Sequence, residues 1–337
     1  MTMHDSILLE HGGGGLLTHD LIDKIFLPLF HNPCLERRED SAVLNMQGQR
    51  LCFTTDSYVV SPLFFPGGDI GSLAVHGTVN DLAVSGGSPI ALSCGFIIEE
   101  GFSLDQLHKI CASMAAASQR AGVPIVTGDT KVVPRGTGDG IYINTSGIGM
   151  ITCNRDISVE HIRSGDVIIV NGTIGDHGAA ILSVRENLGL QSHPLSDTAP
   201  LNGLVSSLLA TGSQIHCMRD ATRGGLGAIL AEIAGQSGFQ MTIAENSIPV
   251  QEDVRGICEM LGFDPLFLAN EGKLVVFCPP DDADRVLSAM HAHEYGRNAA
   301  VIGRVHDKGQ GRLILKTGIG GERVIDLPVG ELVPRIC

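Results

Sequence analysis

Strand-like and helix-like segments alternate along both halves of this 337-residue sequence, and the alternation limits the chain to a few fold classes. In the first half, β-branched and alternating patterns predict strands at 51–55, 93–98, 124–127 and 141–152. Small and apolar residues at helical spacing predict helices at 72–85 and 104–118, and Gly122 closes the second. This order is typical of the α/β or α+β class.

The pattern starts again between residues 153 and 165, and a second series of strands and helices follows. A helix is predicted from Gly175 to Leu188, and further strands are predicted at 167–170, 240–243, 274–278, 299–305 and 313–316. The chain length suits two domains of ordinary size. We therefore predict a first domain at 1–155, a second α/β domain at 156–317 and a tail at 318–337.

Charge and cysteine usage exclude several classes of protein. The net charge of −14 argues against a nucleic-acid partner but not against nucleotides, because Mg²⁺ can bridge carboxylates and phosphates. Nine cysteines form no CxxC pair and most lie in apolar runs, which is typical of buried thiols in a reducing cytoplasm. We predict neither a signal peptide nor a membrane span, and a cytoplasmic location.

A glycine run near the amino terminus is a candidate phosphate-binding loop. A short predicted strand at 6–10 leads into Gly12, Gly13, Gly14 and Gly15, and a predicted helix starts near Leu16. Backbone N–H groups before a helix can bind an anion. The same run can equally be a flexible turn.

Five aspartates, each beside small residues at a predicted element end, are candidate magnesium ligands: Asp40, Asp56, Asp81, Asp129 and Asp220. Asn80 and Thr130 add neutral oxygen atoms beside two of them. Mg²⁺ on a nucleotide binds a few carboxylates together with phosphate oxygens and waters. Any single aspartate can instead be a turn or cap residue.

Three further residues are candidates for chemistry. Lys131 follows Asp129 by two positions and can face phosphate or carry a proton, and Glu271 stands in a polar loop inside an apolar region. Cys337 ends a tail with Pro328, Gly330 and Pro334, which predicts an extended, flexible segment carrying a thiol. The alternatives are a plain turn carboxylate at Glu271 and an incidental terminal cysteine.

Six ordered motifs resemble those of the aminoimidazole ribonucleotide synthetase (PurM-like) superfamily. They are EDSA at 39–42, TTDSYVVSP at 54–62, VNDLA at 79–83, GDTKVV at 128–133, RDATRGGL at 219–226 and NEG at 270–272. The terminal PRIC at 334–337 is similar to the C-terminal signature of the HypE family of hydrogenase maturation factors. The resemblance covers the whole chain.

The resemblance implies a two-domain fold in a homodimer, in which the N-terminal sheets of two protomers pair into a barrel and bind ATP and Mg²⁺ between them. It implies that a carbamoyltransferase, HypF, loads Cys337, and that ATP drives dehydration of the thiocarboxamide to a thiocyanate. The cyanide then passes through a HypC–HypD complex to the iron of a [NiFe] hydrogenase. Glu271 and Lys131 match catalytic positions, and Gly12, Gly13, Gly14, Asn80, Thr130 and Arg223 are the expected nucleotide contacts.

Two other functions fit the same acidic motifs. The chain can be another PurM-like kinase or synthetase that acts on a free small molecule, of the selenophosphate or thiamine phosphate type. It can also be a carrier without catalysis, in which Cys337 only transfers a group. A pure carrier needs no nucleotide site, so the aspartates argue against the second alternative.

Overall fold

A computed structural model of the protein describes residues 6–153, 156–330, 333 and 335–337. The domain boundary predicted at 155 and Pro334 of the terminal motif lie outside the described residues.

The first half forms a mixed five-stranded sheet in the order β1-β2-β7-β5-β6. Neighbouring strands are antiparallel except β5 and β6, which are parallel. The strands are β1 Ala42–Met46, β2 Gln49–Tyr58, β5 Gly87–Glu99, β6 Ile125–Val133 and β7 Ile141–Ile151, and a small ribbon is made of β3 Phe64–Phe65 and β4 Gly68–Asp69. The helices are α1 Leu16–Leu21, α2 Leu27–Phe30, α3 Pro33–Glu36, α4 Ile70–Val84 and α5 Leu104–Ala121, and a π-helical turn at Ile22–Phe26 joins α1 to α2.

The second half forms a seven-stranded sheet in the order β14-β13-β10-β12-β8-β11-β9. Its strands are β8 Val167–Val170, β9 Cys217–Asp220, β10 Phe239–Ala244, β11 Leu274–Cys278, β12 Ala300–Lys308, β13 Leu313–Lys316 and β14 Glu322–Ile325. Its helices are α6 Asp176–Arg185, α7 Asn202–Ala210, α8 Gly225–Ser237, α9 Glu252–Leu261 and α10 Pro280–His291. Strands β8, β9 and β11 are buried along their whole length, which explains the continuous apolar sequences of β8 and β11, whereas β9 ends in two buried charged residues, Arg219 and Asp220.

Helix α4 joins the two halves. Its small and apolar residues are almost all buried, because the helix lies between the first sheet and elements of the second half. One apolar cluster accordingly contains residues of both halves, such as Leu73 and Ile181, and it also includes Val333 and Ile336 near the carboxyl terminus. The core of the first half is therefore closed by the second half and by the end of the chain.

The mixed α/β class predicted from the sequence is confirmed, and helices α4 and α5 lie where the spacing predicts them. Gly122 ends α5 with φ of 68°, a conformation that favours glycine. Helix α6 ends at Arg185, before the predicted residue 188, and Asn187 beyond it has a positive φ of 48°. The described strands form open sheets, and none closes into a barrel within one protomer.

Two predictions about strands are wrong. Residues 6–10 are not a strand: a 3-10 turn occupies Leu9–Gly12, and the Leu8 N–H donates to His11 Nδ1 at 3.0 Å, so local bonds replace a sheet ladder. Strand β6 is not a short buried strand, because it continues through Asp129 to Val133 and is exposed along most of its length at the sheet edge. In the described residues no helix has the length and apolarity needed to cross a membrane.

Asn80 on α4 makes one of the polar contacts between the halves. Its Nδ2 donates to the Ala199 carbonyl at 3.0 Å, and its Oδ1 accepts the Leu201 N–H at 2.7 Å. The side chain is 2% exposed, so a lost partner would leave buried backbone groups unsatisfied.

Replacing Asn80 with alanine should therefore lower the free energy of unfolding by about 2–4 kcal/mol, as expected for two buried hydrogen bonds. Chemical denaturation measures the change. Gln310→Ala, at an exposed position, is the control and should leave the midpoint unchanged. Equal midpoints for both variants would contradict the structural role of Asn80.

Candidate active site between the two halves

A cleft of about 260 Å³ lies between the two halves of the chain. The first half supplies loop residues before β1, residues of β2 and one turn of α4, and the second half supplies the end of β9 and the residues that follow it. The chain end also reaches this cleft. Its lining includes Gly14, Asp40, Thr54, Thr55, Asp56, Tyr58, Asp81, Arg219, Asp220, Thr222, Arg223, Glu232, Glu271 and Cys337.

Four of the five predicted aspartates meet in this cleft: Asp40, Asp56, Asp81 and Asp220. Each comes from a different element, so only the fold brings them together. The Asp81 carboxylate accepts the Thr54 hydroxyl at 2.9 Å. Asp220 is the last residue of β9 and is itself buried.

Burial and mutual repulsion raise the pKa values of Asp40, Asp81 and Asp220. Loss of hydration, followed by repulsion from Asp220 and Asp40, raises the pKa of Asp81 well above its usual value. The same causes, burial first and then Asp40, raise the pKa of Asp220 to about 8. Burial also raises the pKa of Asp40, although the Arg219 guanidinium opposes this effect. The cleft therefore favours any cation that can neutralise it.

The donor set fits a hard divalent cation bound together with a ligand. Carboxylate oxygens are the protein atoms that Mg²⁺ prefers. Within the described ranges, however, no three His, Cys, Asp or Glu side chains stand close enough to hold a metal ion alone. A cation here would have to complete its coordination with oxygens of a bound nucleotide and water, which is the usual arrangement for Mg²⁺.

Arg219 is a buried cation that the sequence analysis did not single out. Its Nε donates to Asp40 at 2.6 Å, and Glu39 and Glu232 lie 4.0 and 3.9 Å from its guanidinium nitrogens. Burial nevertheless raises the pKa of Glu39 to about 7. The sequence of β9 does not predict this network of ion pairs, because the partners of Arg219 come from distant parts of the sequence.

Glu271 is buried in the cleft wall with an exposure of 3%. Its Oε1 has no hydrogen-bond partner among the described residues. Burial and then repulsion from Asp197 raise its pKa well above the usual value, and the Arg223 guanidinium opposes the shift. A buried carboxyl group with an open oxygen in a cleft is a candidate for binding or proton transfer.

Cys337 lies in the same cleft as Glu271 and Arg223. Two backbone contacts hold the end of the chain. The Val59 N–H donates to the backbone carboxylate of Cys337 at 3.0 Å, and Val60 forms an antiparallel bridge with Ile336. Attraction to the Cys337 side chain is the largest effect that raises the pKa of Arg223. The terminal thiol thus stands beside a guanidinium inside the acidic cleft.

The glycine run contacts the tail as well as the cleft. Gly14 lines the cleft, and Gly13 lines a smaller cavity beside Gly330 and Ile336. The first N–H groups of α1, from Leu16 and Leu17, donate to the Pro328 and Val329 carbonyls at 2.9 and 3.3 Å. Gly15 has to be glycine, because a Cβ there would meet the Pro328 carbonyl oxygen at 2.4 Å. Gly12 lines neither cavity.

Besides Gly12 and Gly13, four predicted site residues do not line the cleft: Asn80, Asp129, Thr130 and Lys131. Asp129 and Lys131 are exposed on β6 and bind each other, with Lys131 Nζ 2.6 Å from a carboxylate oxygen, and Thr130 lies between them. Lys131 pairs with Ile97 of β5, which places it on the sheet face that α4 does not cover. Asn80 is near the cleft but its amide is occupied by backbone groups of 199–201.

Models of the AIR synthase related proteins match most of the chain: the N-terminal domain model matches residues 38–151 and the C-terminal domain model matches residues 163–316. The carbamoyl dehydratase HypE of Azotobacter vinelandii is 50% identical over 332 residues, which cover 98% of this chain and 97% of that protein.

Solved structures with similar folds include a HypE–HypF complex, with a TM-score of 0.87, 47% identity and coverage of 91% of this chain and 99% of that one. A second is the hydrogenase maturation protein HypE in complex with ATP, with a TM-score of 0.83, 47% identity and coverage of 98% and 100%.

The raised pKa of Asp220 generates a test of the cleft's electrostatics. Between its usual value of 3.8 and about 8, the folded protein binds more protons at this group than the unfolded chain, so stability falls as pH rises through this window. The melting temperature of the protein without nucleotide or metal should therefore fall between pH 6 and pH 8.5. Asp220→Asn should reduce this fall by a few degrees, whereas Asp284→Asn, at an exposed position on α10, should not. An identical fall in all three proteins would contradict the assignment.

Proposed function

The chain belongs to the AIR synthase related family and, within it, to the HypE carbamoyl dehydratases of hydrogenase maturation, and from this membership we propose that it dehydrates a carbamoyl group carried on the sulfur of Cys337. The chain is accordingly an ATP-dependent enzyme. One observation supports this position of the substrate: Cys337 lines the same cleft as four aspartates, Arg223 and Glu271. A kinase or synthetase for a free small molecule would not need its own terminal thiol in this place.

The reaction converts a thiocarboxamide and ATP into a thiocyanate, ADP and phosphate. An amide oxygen is a poor leaving group, and transfer of the γ-phosphoryl group to it makes it a good one. The C–O bond then breaks, the oxygen leaves as phosphate, and the two N–H protons are removed as the nitrile forms. Phosphoryl transfer depends mainly on positioning and on neutralising charge, and proton removal needs a base.

Asp40, Asp56, Asp81 and Asp220 support the proposal that Mg²⁺ enters with the nucleotide. These carboxylates would hold the cation, with nucleotide oxygens completing its shell, and Mg²⁺ would neutralise charge on the phosphates. Arg223 is the cleft cation available for phosphate oxygens. We retain Gly12, Gly13, Gly14, Asn80 and Thr130 as proposed nucleotide contacts, of which Gly14 lines the cleft.

Glu271 is the proposed base. It lies in the cleft with Cys337, its Oε1 is open, and its low hydration makes the carboxylate a stronger base once it has lost its proton. Arg223 lowers the cost of that charged form. Lys131 is the second proposed base, and it would have to act from outside this protomer's cleft and without its ion pair to Asp129.

We also propose a homodimer in which the first sheets of two protomers pair into a barrel. The sheet face away from α4 exposes apolar side chains, with Phe53 42%, Ile148 43% and Ile97 45% exposed. Lys131 is on this face too. Pairing would cover the apolar surface and would bring Asp129, Thr130 and Lys131 of one protomer to a nucleotide bound between the two.

We retain the proposed division into a first domain at 1–155, a second domain at 156–317 and a tail at 318–337. The tail is proposed to be mobile enough to leave the cleft. Outside the cleft, Cys337 would receive its carbamoyl group from a HypF carbamoyltransferase, in accord with the similar HypE–HypF complex. After dehydration it would pass the cyanide to a HypC–HypD complex in the cytoplasm. No nucleic-acid or membrane partner is proposed, given the net charge of −14.

The mass of the tail peptide tests the function. Carbamoylation adds about 43 Da to the thiol and the nitrile product adds about 25 Da, a difference of one water, by atomic bookkeeping for the proposed proton removal. Incubation with HypF, carbamoyl phosphate and Mg·ATP should give the lighter adduct on wild-type Cys337. Glu271→Gln should give only the heavier adduct, because an amide cannot take up the proton.

Two outcomes would count against these roles. Formation of the lighter adduct by Glu271→Gln at the wild-type rate would remove Glu271 and leave Lys131 to be tested. Donor-dependent ATP turnover by Cys337→Ala would show that the terminal thiol is not the acceptor. Cys258→Ala is the control, because this buried cysteine should affect stability through packing and leave loading intact.

The oligomeric state tests the sheet pairing. Ile148→Glu places a charge in the middle of the exposed face of β7 and should convert a dimer, of twice 35.5 kDa, into monomers in light scattering at micromolar concentration. Leu104→Glu is the matched control, because it adds the same charge at an 80% exposed position on α5 and should leave the dimer intact. A dimeric Ile148→Glu protein, or a monomeric wild type, would refute the pairing.

A further inference from the structure

The last residues of the chain are held by a small set of hydrogen bonds outside the cleft lining. The Ser61 N–H donates to the Arg335 carbonyl at 3.1 Å, and Arg185 donates to the same carbonyl at 2.8 Å. The carbonyl of Ile336, the residue directly before Cys337, lies 2.7 Å from Nε2 of His177 on α6. Of these hydrogen bonds, the one with His177 joins a side chain to the residue directly before the reacting thiol.

The hydrogen bonds of His177 define its tautomer. The ring is fully buried, and a carbonyl oxygen can only accept, so Nε2 carries the proton. Burial lowers the pKa of His177, which keeps the ring neutral. The other ring nitrogen, Nδ1, then accepts the Ser196 hydroxyl at 2.8 Å, and the Ser196 oxygen accepts the Thr198 N–H at 3.2 Å.

The residue next to Ser196 fixes the loop that carries Glu271. Asp197 accepts the backbone N–H groups of Glu271 and Gly272 at 3.0 and 3.3 Å, and Lys273 Nζ neutralises it at 2.8 Å. One dipeptide, Ser196-Asp197, thus holds the base loop through Asp197 and, through Ser196 and His177, the tail carbonyl. A shift of this dipeptide would move both reacting groups.

We propose that His177 is a positioning residue that docks the tail through the Ile336 carbonyl and sets Cys337 in register with Glu271 for dehydration. The inference rests on the proposed function and deepens it. His177 touches neither the carbamoyl group nor ATP, because it does not line the cleft. Loading of Cys337 takes place with the tail outside the cleft, so His177 is needed for dehydration and not for loading.

Two substitutions separate the two hydrogen bonds of the ring. The amide of asparagine reaches about as far as Nδ1, so His177→Asn keeps the contact with Ser196 and loses the one with Ile336. The amide of glutamine reaches about as far as Nε2, so His177→Gln keeps an N–H donor for the Ile336 carbonyl. Both are polar and similar in size, and thermal unfolding confirms that each variant is folded.

The experiment follows a single turnover. Full-length protein is mixed with HypF, carbamoyl phosphate and Mg·ATP, and the mass of peptide 317–337, released by cleavage after Lys316, is followed with time, so that the heavier adduct is seen before it is converted to the lighter one. His177→Asn should load to the wild-type extent and bind ATP equally well, but dehydrate roughly tenfold or more slowly, as expected for a misplaced reacting group. His177→Gln should stay within about threefold of wild type.

Dehydration by His177→Asn at the wild-type rate would overturn the proposal. Dehydration by His177→Gln that is as slow as that by His177→Asn would also overturn it, because the hydrogen bond to Ile336 would then not matter. If either His177 variant fails to fold, Ser196→Ala takes its place: it removes the partner of Nδ1 and should slow dehydration while loading stays normal. Unchanged dehydration in a folded Ser196→Ala protein would also overturn it.

Thiol alkylation tests the docking without any turnover. The rate at which iodoacetamide modifies Cys337, read from the same peptide, should rise in His177→Asn and remain near wild type in His177→Gln. Equal alkylation rates in all three proteins would refute the docking role. A wild-type protein that forms no lighter adduct but shows this pattern of alkylation would refute the proposed function and leave the docking role standing.

Discussion

The accumulation of carboxyl groups in a poorly hydrated cleft between two halves of the chain is the constraint on which the rest of this structure depends. Two like charges about 4 Å apart repel each other by ~4 kcal/mol at an effective dielectric constant near 20. Four aspartates and Glu271 face this cleft, and burial raises the pKa of Asp81 and of Glu271 well above their usual values. The folded chain tolerates such a site because the guanidinium groups of Arg219 and Arg223 stand beside it. It remains an acceptor for further positive charge, which a divalent cation would supply.

The two arginines of the cleft, of which Arg219 is buried, have different roles. Arg219 is bound at 2.6 Å by Asp40 and lies near Glu39 and Glu232, so its charge is used inside the protein and ties the loop before β1 to β9. Arg223 faces the other end of the cleft, where Cys337 and Glu271 lie. Its positive charge can favour the deprotonated form of a base and can stabilise the negative charge of a bound phosphate. Substitution of either arginine removes one positive charge. Substitution of Arg219 also removes a structural bond, whereas substitution of Arg223 removes a group at the end of the cleft where Cys337 and Glu271 lie.

Sequence reasoning could locate the two sheets, helices α4 and α5, and the four aspartates of the cleft, because each depends on local periodicity or on a short motif. It could not place Asp129 and Lys131, since their position depends on β6 being an exposed edge strand, and a run of apolar and polar residues such as 125–133 does not reveal its neighbours. It also missed Arg219 and His177, whose partners are far away in the sequence. The tail shows the same limit. Its prolines and glycines indicate an extended segment, but not that the Ile336 side chain is buried in the core of the first half.

The docking of the tail is close to balanced in energy. The four backbone contacts of residues 335–337, to Val59, Ser61, Arg185 and His177, contribute about 1 kcal/mol each. Burial of the Ile336 side chain, which is 3% exposed, adds about 2–3 kcal/mol. Ordering three residues and their side chains costs about 1–2 kcal/mol of backbone entropy each and somewhat more for the side chains. The sum leaves only a small preference for the docked state, which accords with the proposal that the tail leaves the cleft to be loaded. Under that proposal, a thiol that meets a carbamoyl donor outside the cleft and a base within it needs such a near-balance, since a tightly held tail would not be loaded and an undocked one would rarely meet Glu271.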